Sequence, residues 1–158
     1  MSAPHDDISP YAQRLLEVIV AAVPTWVDES VRKLVRRHHG VVSEDVAASI
    51  VLAGKDAQQF VTERLLVLLA TDVDAQSSNP LQILRDASRF PTRVLKEVGV
   101  PAPQRDHFDE QINPEDVYGL GPYTWRDLGE EAHDAGIEWG AWKAATVLSR
   151  RRAEGKIS

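Results

Sequence analysis

The chain has 158 residues, no cysteine, a hydrophobic fraction of 43% and a formal charge of −6. That length suits one domain with a core that needs no cross-links. The missing thiol excludes disulfides, thiolate zinc sites and cysteine nucleophiles together, and the acidic balance argues against general affinity for nucleic acid or membrane surfaces. Arginine outnumbers lysine and asparagine stands only at Asn79 and Asn113. This bias fits a GC-rich bacterial genome and says nothing of function. The opening MSAPHDDISP is acidic and polar where a secretory leader would be basic and then apolar. The longest uncharged apolar runs, 18–23 and 65–70, fall far short of the roughly 20 residues that span a bilayer. A cytoplasmic protein without a membrane segment is expected.

Helical punctuation runs through most of the chain. Ser9 before Pro10 reads as a cap and a first-turn proline, followed by an apolar helix that Pro24 closes at Val23. Thr25 and Asp28 resemble a capping box for a second helix with Val27, Val31, Leu34, Val35 and His38 at core spacing, ended by Gly40. Ser43 caps a third, and Gly54 breaks or kinks the path before a fourth, from about Asp56 to Ala70, with a broad apolar face. After the polar stretch TDVDAQSSN, Asn79-Pro80 starts a helix that Pro91 interrupts and Gly99 stops. Four prolines (Pro101, Pro103, Pro114, Pro122) then mark an irregular segment over about 99–124, with a turn of helix expected after Asn113-Pro114. A last helix is expected from about Glu130 to Arg152. The expectation is an all-α, compact bundle of six to seven helices: one domain over 9–152, with flexible ends at 1–8 and 153–158.

Function is less legible. Three of the four tryptophans (Trp125, Trp139, Trp142) gather near the end with Tyr118 and Tyr123. Large aromatics supply much contact area at low entropic cost and are enriched at binding hot spots. On the last helix Ile137, Ala141, Ala144 and Leu148 form a narrow apolar stripe, with Gly140 and Ala145 beside it. This stripe is expected to face the core. Trp142 then flanks it and Trp139 falls on the far side, to be covered either by the irregular segment or by a partner. Trp125, Trp139, Trp142, Tyr118 and Tyr123 are therefore the candidate partner-binding residues.

A second candidate is the basic run at 32–39, where Arg32, Lys33, Arg36 and His39 share one arc and could hold an anion, or a nucleic acid with Arg37. The plainer reading is a solvated face whose cations suit the helix C-terminus. Ser43 to Leu66 fits a helix-turn-helix poorly, because Gly54 stands in the wrong place and the second helix is as acidic as it is basic. For metal or acid/base chemistry, Glu130 and His133 share a helix face, and Asp106, His107, Asp109 and Glu110 cluster in the irregular segment. Such spacings also arise by chance. No nucleophile elbow or phosphate-cradling glycine pattern occurs. The resulting expectation is a non-enzymatic interaction protein, a homodimer or an adaptor for another protein. It carries no catalytic residue, metal or cofactor, and nucleic acid is not an expected partner. The alternatives are an enzyme using His107, Asp109, Glu130 and His133, and a regulator using the basic run.

Overall fold

The computed structural model describes residues 9–70, 80–112, 114 and 116–155, without the side chains of Asp109, Glu110 and Ile112. The expected starts at Asn79 and after Asn113, and the stretch 71–79, lie wholly or partly outside these residues. Helices α1 (Pro10–His39), α2 (Glu44–Ala70), α3 (Pro80–Asp86), α4 (Arg89–Glu97), α5 (His107–Ile112) and α6 (Glu130–Ala153) follow in order, with a 3-10 turn at Trp125–Leu128. Among the described residues there is no strand. The fold is all-α, but four helices of nine or more residues (α1, α2, α4 and α6) carry it, where six to seven were expected.

The difference comes from two pairs of expected helices that are each continuous. Pro24 does not close the first helix; it lies inside the 30-residue α1. A proline there has no N–H for the carbonyl four residues earlier. That carbonyl, on Val20, instead accepts a hydrogen bond at 3.0 Å from the Gln58 side-chain amide of α2. One turn before Gln58, Gly54 lies buried against the proline, where a Cβ would be in ordinary contact, 3.5 Å from Pro24 Cα. The two supposed breakers thus meet where α1 crosses α2, and neither breaks its helix.

Local stop and start signals behave as expected elsewhere. The Ser9 hydroxyl accepts from the Ala12 amide at 3.1 Å, and Ser43 does the same for Val46 at 3.2 Å. Gly40 ends α1 with φ +81°, and Gly99 follows α4 with φ +76°, both in the left-handed region where glycine carries no penalty. The interruption expected at Pro91 falls earlier, at 87–88, and Pro91 sits inside the first turn of α4, where its missing donor costs nothing. Among the described residues, the irregular segment holds a helical turn at α5.

The core is built from one stripe of each long helix. Leu15, Ile19, Val23, Val27, Val31 and Val35 of α1 meet Ile50, Ala57, Val61 and Leu65 of α2, closed by Leu84, Val94 and Leu95. The last helix packs on α1 and buries Ala132 and Ala135. The segment after α5 lies over α1 and α3, held by a buried carboxylate. Asp116 is 3% exposed, and its two oxygens accept from the amides of Leu120 at 2.7 Å and Gly121 at 2.8 Å. Trp26 of α1 donates its indole N–H to the Leu120 carbonyl at 3.0 Å. Gly121 is required at this point, because a Cβ would come within 2.8 Å of Arg85 Cγ.

Candidate functional site

The candidate site is the outward side of α6, and its direction is set at the helix start. Trp125, in the 3-10 turn, lays its ring on Gly136; a Cβ there would fall 2.5 Å from two ring carbons. Only glycine allows that approach, so residue 136 must face inward. Ala132 and Ala135 are buried with it. At 3.6 residues per turn, positions 139, 142, 143 and 146 follow on the inward side, and all four are partly buried. The opposite side then carries Ile137, Ala141, Ala144 and Leu148. Ile137 is 56% exposed and Leu148 is 45% exposed, and both alanines are exposed. Beside them Gly140 has open space where its Cβ would be.

This reverses the expected orientation. The apolar stripe is real but points to solvent, and Trp139 is packed against the core. The Lys143 ammonium lies 5.1 Å from its ring centroid, a cation–π distance. Trp142 stacks on Tyr11 of α1, with ring centroids 6.4 Å apart. Beside that pair Arg14 of α1 forms an ion pair with Glu138.

The other aromatic candidates do not join a common surface. Tyr118 is buried 18 residues from its acceptor, donating to the Val100 carbonyl at 2.6 Å, and burial raises its phenol above the usual value. Tyr123 is 55% exposed, with the Arg85 guanidinium 5.6 Å from its ring centroid. The five side chains are distributed between the α6–α1 contact, the 3-10 turn and the overlying segment. The grouping that sequence proximity suggested is dispersed by the fold.

The basic run does not converge either. Arg32 is engaged by Asp28 one turn earlier at 2.8 Å, and the His39 ring bonds the Val98 carbonyl at 2.9 Å. Lys33 and Arg36 are exposed. Arg37 and His38 instead line a cleft of about 490 Å³ with Leu34, Val100, Pro101 and Tyr118. Of the proposed acid/base set, His107 Nε2 meets the Gln111 amide at 3.1 Å, while Glu130 pairs with Arg126 at 3.3 Å. The His133 amide continues the backbone ladder to Gly129, and the side chain of Asp109 lies outside the described residues. Among the described residues, no three groups of metal-ligating type come together.

Compared with known proteins, the chain matches no family model, no curated protein and no solved structure. No helix among the described residues is long and apolar enough to cross a membrane.

Proposed function

We propose that this chain is a non-enzymatic, cytoplasmic interaction module, a homodimer or an adaptor, whose contact surface is the outward face of α6. The observation that carries this reading is the row Ile137, Ala141, Ala144 and Leu148, exposed on a helix whose other side is already packed. Isolated exposed apolar residues are ordinary, whereas a continuous apolar face on a helix marks a contact surface. The aromatic residues serve this surface from behind. Trp125 sets the rotation of α6, and Trp142 with Tyr11 fastens it to α1. On this reading Trp139 and Trp142 support the surface and do not form it.

The test compares the unaltered chain with a double variant, Ile137→Asp with Leu148→Asp, each isolated from the cells that make it. The unaltered chain is expected in a complex heavier than one chain, and the double variant at monomer mass with unchanged helical circular dichroism. An unaltered chain at monomer mass, or a double variant that retains the complex, would overturn the reading.

A further inference from the structure

Resting on that reading, we infer that the occupant of the α6 face is a second copy of the same chain, with the two α6 helices antiparallel about a two-fold axis beside the 142–143 midpoint. Asp134, Ile137, Ala141, Ala144, Leu148 and Arg151 are spaced alternately by three and four residues. This is the spacing by which one helix presents a seam to another. All six are exposed on α6.

The seam is self-complementary when reversed. A two-fold contact requires that if one residue meets another, the second copy returns the same contact. Antiparallel alignment places Ala141 opposite Ala144 of the second copy, Ile137 opposite Leu148, and Asp134 opposite Arg151. Each pairing then occurs twice. The centre holds small residues, with Gly140 facing Ala145 at the flank, so the two backbones can approach to the close end of the ~8–10 Å helix-packing range. The bulky pairs lie on either side, and the charged pairs close the ends.

Charge selects this direction over the parallel one. The first turn of α6 is acidic (Glu130, Glu131) and its last turn is basic (Arg150, Arg151, Arg152). A parallel pair would set Asp134 on Asp134 and Arg151 on Arg151, with like ends side by side. Reversal sets each acidic end against a basic one and also opposes the two helix dipoles. An unrelated partner would need its own matching row of residues. A second copy already carries one.

The chain lacks cysteine, which makes the register directly readable. Ile137→Cys and Leu148→Cys variants are purified separately, then oxidised alone and mixed. The antiparallel pair predicts a disulfide-linked dimer in the mixture and almost none from either variant alone. In that arrangement the two copies of residue 137 stand about 16 Å apart along the axis. Dimers from each variant alone would overturn the orientation. A second measurement uses charge: Asp134→Arg is expected to weaken self-association at least ~10-fold, and Arg151→Asp added to it should restore association. An unrestored double variant counts against a second copy. If the pure chain stays monomeric and uncross-linked while the complex from its own cells still requires Ile137 and Leu148, the second copy is overturned and the interaction module stands. If that complex is also indifferent to both residues, the module falls too.

Discussion

Two glycines one turn apart on α6 make opposite demands. Gly136 lies under the ring of Trp125, and no other residue fits there. Gly140 has empty space above it. A glycine in a helix interior costs about 1 kcal/mol relative to alanine. At position 136 that cost is offset by the packing of an indole. At position 140 nothing among the described residues lies within 4 Å of where a Cβ would be. The same contrast runs along the whole helix, whose inner side is filled by alanines and tryptophans while its outer side leaves isoleucine and leucine in water. On the proposed reading, the open space at Gly140 is where a second helix approaches.

The contrast breaks most severely if the segment that holds the inner side is released. Asp116→Ala leaves the amides of Leu120 and Gly121 unsatisfied beside Trp26. It is expected to cost about 3 kcal/mol in urea unfolding, and a loss below about 1 kcal/mol would mean that the segment is held elsewhere. Gly136→Ala should cost about 2 kcal/mol, since overpacking by one methyl exceeds the gain in helix propensity. It should also change the fluorescence of Trp125; a neutral result would show that the ring moves aside freely.

Tyr118→Phe should cost about 1 kcal/mol, because the Val100 carbonyl loses its donor. It also changes the alkaline profile. Burial raises the Tyr118 phenol in the folded chain, whereas the unfolded phenol titrates near pH ~10. Between those values the folded state holds the proton that the unfolded state loses, so stability falls as pH rises above about 10. The phenylalanine variant should show less of that decline, and an unchanged slope would assign it to other groups. The smallest effect has the opposite sign: Gly140→Ala should stabilise the monomer by up to about 1 kcal/mol. Thermal unfolding at low concentration checks it, and a loss instead would mean that the position is covered within the chain.

Much of the fold could be read in advance because capping is local chemistry. Ser9, Ser43, Gly40 and Gly99 act within a few residues of themselves, and their roles follow from neighbours in sequence. Pro24 is different. Whether it ends a helix depends on whether the Val20 carbonyl finds another donor, and that donor, Gln58, lies 38 positions along. Gly54 is inward for the same non-local reason. In α6 the apolar stripe was visible by periodicity, but both sides of the helix carry apolar residues. Tertiary contacts, with Trp125 on Gly136 and Tyr11 on Trp142 among them, determine which side turns in. The aromatic residues are near along the chain, yet the fold holds Tyr118 against Val100 and Tyr123 beside Arg85, apart from Trp139 and Trp142.

The hydrogen bond from Gln58 to Val20 also bears on the order of assembly. Without α2, the proline leaves a gap in the ladder of α1, and its two halves are each close to the ~12–15 residues below which isolated helices are marginal in water. Alone, the N-terminal segment is thus two uncertain helices with a joint at Pro24. Docking of α2 turns the joint into a continuous rod, so the longest helix among the described residues is completed by tertiary structure and does not precede it.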